Sequence, residues 1–113
     1  MQIRETRHDT YSTLAPVGDL DANSSMQMDD AIQQQIDSET YNLHIDCAEL
    51  EYISSAGLGV FISFMEELEN AGGKFVFSNM ADNILQVFKL LGLESLVTVV
   101  NDRAEVEKEY LHE

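Results

Sequence analysis

Two adjacent hydroxyls, Ser54 and Ser55, are followed at once by Ala56, Gly57, Leu58, Gly59 and Val60. Paired serines among small residues suit a place where another molecule comes close to the backbone. The stretch lies between a strand-like run and a helix-like run, so the serines fall where free backbone N–H groups and the positive end of a helix dipole point outward. A phosphate is tolerated there by its own helix, and it adds a charge of roughly −1.5 to −2 to the surface a partner must meet. Capping a helix is equally the business of serine, so Ser54 and Ser55 each read as a cap or as a modification site.

Other chemistry finds less support. The Gly-x-Ser-x-Gly elbow is missing, because Ile53 stands two residues before Ser55. Gly72-Gly73-Lys74 lacks the upstream glycine of a phosphate loop, and Phe75 replaces the hydroxyl that would hold magnesium. His8, His44 and His112 have no ligand spacing, and Cys47 has no CxxC partner, so neither a metal nor a cofactor is expected. No motif sets a base beside Ser55, so an enzyme is not expected. Asp19, Asp21 and Asp46 each lie near a strand end and could converge on the serines; for Asp19 turn duty is favoured, and for the other two both readings stand.

The elements that hold this stretch follow from periodicity. Residues 3–16 predict two strands meeting near His8-Asp9-Thr10, with Pro16 at a strand end or edge, and Gly18-Asp19-Leu20-Asp21 predicts a turn. Asn23, Ser24 and Ser25 precede Met28, Ala31, Ile32 and Ile36 at helical spacing. Tyr41 to Cys47 alternates as a half-buried strand, with Cys47 as a small core residue, and Ala48 to Ser54 reads as its exit loop. Leu58, Phe61, Ile62, Met65 and Leu68 form the stripe of a second helix that Gly72-Gly73 ends. Val60 and Phe64 lie beside that stripe. They either widen the core or make, with Gly57 and Gly59, a flat apolar docking patch.

Lys74 to Ser78 is then a strand parallel to the Leu43 strand. A third helix capped near Asp82 carries Ile84, Leu85, Phe88 and Leu91 inward and stops at Gly92, with Leu93 beyond it. Leu96 to Val100 is the last strand. Asp102 and Glu105 form a capping pair for an acidic helix to Glu113, docked by Val106 and Tyr110. The expected class is α/β, a small mixed, partly parallel sheet with helices mainly on one face, in one domain over residues 1–113.

The 113 residues suffice for one hydrophobic core, and a single cysteine permits no internal disulfide. Met1 to Asp9 has no apolar run of a secretory signal, and no stretch nears the roughly 20 apolar residues of a membrane span. The formal charge of −15 repels phosphate backbones and anionic lipid, so neither nucleic acid nor membrane is expected as a partner. It would attract a basic protein.

Asp46-Cys47 followed by Tyr52-Ile53-Ser54-Ser55-Ala56-Gly57-Leu58 resembles the signature of STAS domains (sulfate transporter and anti-sigma factor antagonist), in particular the stand-alone bacterial antagonists. Gly18-Asp19-Leu20-Asp21 resembles the family's Gly-acidic-Leu-Asp turn, and Leu90-Leu91-Gly92-Leu93 its late Gly-Leu step. The resemblance spans nearly the whole chain. It implies a cytoplasmic, non-enzymatic partner switch with a STAS-like fold. Ser55, two residues before the Gly of Gly-Leu, would be the phosphorylated serine, with Ser54 as second choice where the family often has Asp. Asp21, Ser54, Gly57, Leu58, Gly59, Val60 and Phe64 would meet the partner. That partner would be a serine-kinase anti-sigma factor using its own ATP and magnesium, and a PP2C-type phosphatase would reset the switch. The alternative is a STAS-type interaction subunit of a larger signalling or transport assembly that is never phosphorylated.

Overall fold

A computed structural model describes residues 1–110. Six strands and four helices follow one another as β1 (Gln2–Arg7), β2 (Ser12–Leu20), α1 (Ser25–Asp37), β3 (Asn42–Asp46), β4 (Leu50–Ile53), α2 (Ser55–Asn70), β5 (Lys74–Ser78), α3 (Asp82–Leu90), β6 (Thr98–Val100) and α4 (Arg103–Glu109), with a 3-10 turn at Leu93–Ser95. The sheet runs β1-β2-β3-β5-β6, and β4 pairs with the far end of β2. Only β1 is antiparallel to its neighbour; β2–β3, β2–β4, β3–β5 and β5–β6 are parallel. The sheet is therefore mixed, as the alternating strand and helix periods predict.

Alternation decides which residues face which layer. Leu14, Leu43, Ile45, Phe75 and Phe77 point from the sheet into the core that α1, α2 and α3 complete. Phe61 of α2 meets Phe75 and Phe77 edge-on at 5.6 and 5.1 Å, and Phe88 of α3 meets Phe77 at 5.3 Å. The opposite face is covered by α4, through a smaller cluster of Tyr11, Val76, Val106 and Tyr110. Tyr11 and Tyr110 stack at 4.9 Å, and the Tyr110 hydroxyl reaches the carbonyls of Leu43 and Lys74 at 2.9 and 2.8 Å. Val106 and Tyr110 thus dock the last helix as their spacing predicts. The final part of the acidic tail, with His112, lies outside the described residues.

Several local expectations need correction. Gly18 to Leu20 belongs to β2 and not to a turn: Gly18 has φ +99° and the register against β4 shifts between Gly18 and Asp19, so the glycine absorbs a bulge. Pro16 is not at a strand end but at a local edge. It lies inside β2, where β3 has stopped pairing at Leu14 and β4 begins only at Gly18, so no strand faces residues 15–17 on that side. The segment read as an exit loop holds β4. Ile62 is 48% exposed while Val60 and Phe64 are buried, so the inward stripe of α2 is turned towards Gly57, Phe61, Phe64 and Leu68. Asp82 is the first residue of α3 and caps nothing, and Leu91 is exposed. Among the described residues no helix is long and apolar enough to cross a membrane.

Candidate functional site: the Ser54–Ser55 corner

The corner is built on the end of β2. Leu20 pairs with Ile53 of β4, and the Ser54 N–H donates to the Leu20 carbonyl at 2.9 Å. Asp21 therefore follows directly beside Ser54. Its carboxylate accepts from the Asn23 and Ser24 N–H groups at 2.9 and 3.2 Å, which turns the chain into α1. Ser24 caps nothing with its side chain; its hydroxyl donates to the Asp19 carbonyl at 2.8 Å. Ser24 and Asp21 together thus tie down the loop that borders the serines.

The two serines divide the work. Ser54 has extended backbone (φ −95°, ψ 173°), and its Oγ accepts from the Gly57 N–H at 3.2 Å. Ser54 is the cap. Ser55 is the first helical residue and is exposed. A hydroxyl at that position is open to a visiting active site and lies at the positive end of the helix dipole.

The neighbouring glycines also differ. A Cβ on Gly57 would stand 2.7 Å from Leu20 Cγ and 2.8 Å from the Leu20 carbonyl, so this glycine lets the first turn of α2 close onto β2. Gly59 is exposed and a Cβ there would meet nothing within 4 Å. Leu58, Val60 and Phe64 are buried in the core, so the flat apolar docking patch expected of Val60 and Phe64 is not a surface; the alternative, a widened core, is what they form. Gly57 is likewise turned inward. What the corner exposes is Ser55, Ala56, Gly59 and, from β4, Glu51 and Tyr52. Of the expected contact residues, Asp21, Ser54 and Gly59 remain within a partner's reach, beside Ser55.

Asp46 serves elsewhere: its Oδ1 accepts from the Ala48 N–H at 3.0 Å and the Asn79 amide at 3.2 Å. No histidine lies in the segments that form the corner. His44 instead sits under α4, its Nε2 hydrogen-bonded with Ser78 Oγ at 2.6 Å and its Nδ1 with Thr13 Oγ1 at 2.9 Å, and Thr13 bonds on to His8 at 3.0 Å. Burial holds His44 down to about 4, against a smaller upward pull from Asp46, so it is neutral at pH 7. Burial likewise pushes the Cys47 thiol up to about 12, which leaves it inert packing. Sequence reasoning missed this polar chain, because alternation sends His44 to the outer face and does not say that a helix covers it.

None of the six cationic side chains lies in the segments that build the corner, whereas Asp19, Asp21 and Glu51 do. A phosphoryl group on Ser55 would meet no arginine that could reorganise the fold around it. It would add charge to a surface that is already acidic.

The STAS domain model matches residues 2–106. The Anti-sigma-B factor antagonist of Listeria monocytogenes is 26% identical over 106 residues, covering 94% of this chain and 92% of that one. The crystal structure of a putative anti-sigma factor antagonist from Thermotoga maritima superposes with a TM-score of 0.88 at 18% identity, covering 96% and 93% of the two chains. The Bacillus cell fate determinant SpoIIAA in its phosphorylated form gives 0.75 at 19% identity, covering 96% and 97%.

Proposed function

Because this chain belongs to the STAS domain family, we propose that it is an anti-sigma factor antagonist controlled by phosphorylation of Ser55. Unmodified, it binds a serine-kinase anti-sigma factor in the cytoplasm and so releases a sigma factor for transcription. The kinase transfers phosphate from its own ATP to Ser55 and lets go, and a PP2C-type phosphatase restores the free hydroxyl. The chain acts as a single binding domain, not as an enzyme, and brings no cofactor. The observation that carries this reading is the division between the serines: Ser54 is spent on capping α2, and Ser55 is left exposed beside it. Curated relatives named as anti-sigma-B factor antagonists and a phosphorylated structural neighbour support it.

The release step follows from desolvation. A dianion pressed into a contact lined by Ala56 and Gly59 loses its hydration and finds no cation on its own chain. The cost is about 3 kcal/mol or more, about two orders of magnitude in affinity.

The test is to incubate the chain with a serine-kinase anti-sigma factor of its own organism and ATP, then locate any phosphate by mass spectrometry. One phosphate on Ser55, with Ser55→Ala binding persistently and Ser55→Asp poorly, is the expected result. Equal binding by the two variants rejects the switch. An unchanged mass with intact binding favours the interaction-subunit alternative.

A further inference from the structure

We propose that the groove between α1 and α2, next to the serine corner, receives a lysine or arginine side chain of the kinase partner. Its aliphatic stem lies on Met26, over a floor of which Val60 shows only an edge, and its charge meets Asp29 and Asp30. This rests on the phosphoswitch reading and names the chemistry its partner brings. The groove is a shallow, open depression of about 270 Å³ lined by Ser25, Met26, Asp29, Asp30 and Val60.

Three observations point to that occupant. Met26, the second residue of α1, is 75% exposed, so this adaptable thioether gives only about a quarter of its surface to its own fold. Gly59, just before Val60, has no packing reason to be glycine: its backbone is helical and a Cβ would enter open space. A glycine there lowers helix stability relative to alanine, so the gain must lie outside the monomer. Gly59 is one turn beyond Ser55 on the same stripe and Ser63 one turn further, a bare ridge along which a partner backbone can close on α2.

Charge then selects the occupant. Asp29 and Asp30 form no ion pair with any described residue; the ion pairs among the described residues lie at Arg4, Arg7, Lys74 and Arg103. A second copy of this chain would bring the same formal charge of −15 to the contact and be repelled. A long cationic side chain matches both parts of the groove, because its methylenes cover apolar surface while its head stays with the carboxylates.

The test measures binding of the full chain to the same serine kinase, held with a non-hydrolysable ATP analogue so that Ser55 stays unmodified. The double variant Asp29→Asn/Asp30→Asn is compared with Asp9→Asn/Glu94→Asn, which removes the same charge outside the groove. The groove variant is expected to weaken binding about tenfold at low salt, a loss that shrinks as salt rises, against less than about threefold for the other. Gly59→Gln is expected to weaken binding by at least as much without lowering the melting temperature. Equal losses in the two charge variants, or no loss in the groove variant, overturn the proposal. If the unaltered chain binds and the groove variants match it, only the groove is rejected; if the unaltered chain does not bind, the switch itself falls and the groove with it.

Discussion

Replacing each serine of the corner by alanine tests the assignment of roles directly. Ser54→Ala removes the acceptor of the Gly57 N–H, a 3.2 Å bond at a buried glycine that packs under Leu20. Loss of such a cap costs about 0.5–2 kcal/mol, and poor access for water sets this one in the upper half, about 1.5 kcal/mol. At about 4 °C per kcal/mol for a chain of this size, the melting temperature should fall by about 6 °C. Ser55→Ala exchanges an exposed first-turn residue for the best helix former and should stay within about 0.5 kcal/mol of the parent. Urea unfolding and thermal melts of the two variants measure the difference, and phosphate mapping on the same samples gives the functional half. Ser54→Ala should still be modified at residue 55, and Ser55→Ala should not be modified. If Ser55→Ala loses as much stability as Ser54→Ala, or if the kinase modifies Ser54 in the unaltered chain, the division of labour is wrong.

The glycines should part in the same way: Gly57→Ala forces a methyl against Leu20 and should cost about 1–3 kcal/mol in urea unfolding, whereas Gly59→Ala should gain about 0.5–1 kcal/mol. Tyr110→Phe removes the hydroxyl that reaches the Leu43 and Lys74 carbonyls and should cost about 1 kcal/mol by the same measurement. His44 is held near 4 against 6.5 when unfolded, so between those values the unfolded chain binds more protons. Its contribution is therefore fully present above about 6.5 and lost as pH falls towards 4; His44→Gln should flatten the unfolding midpoint over that window, and an unchanged slope would refute the assignment.

Much of the architecture can be read from residue order, and the failures have local causes. β4 is missed because its four residues follow a buried, exposed, exposed, buried pattern, so Leu50-Glu51-Tyr52-Ile53 shows no period of two. The inward face of α2 is misread because three- and four-residue spacings fit two overlapping stripes, and Leu58, Phe61 and Leu68 belong to both. Only the packing of the whole fold, which buries Phe64 and leaves Ile62 exposed, decides between the two. The serine corner is legible as a place, since hydroxyls and glycines gather at a change of period. Which serine caps is not legible, because that depends on the extended backbone of residue 54. Likewise Gly57 and Gly59 look alike in the sequence, and the nearness of Leu20 and Ile53 to Gly57 separates them.

The joint at Leu20 has one further consequence. That residue binds Ser54 through its carbonyl, pairs with Ile53 and lies against Gly57, so the serine turn is bolted to a strand that three others share. A chemical mark beside such a joint has no hinge to move. On the proposed switch its message would be read by touch, by a molecule that sits on the marked spot. Erasing the mark would then need no refolding of this turn, and the tempo of the signal would belong to the enzymes that write and remove it.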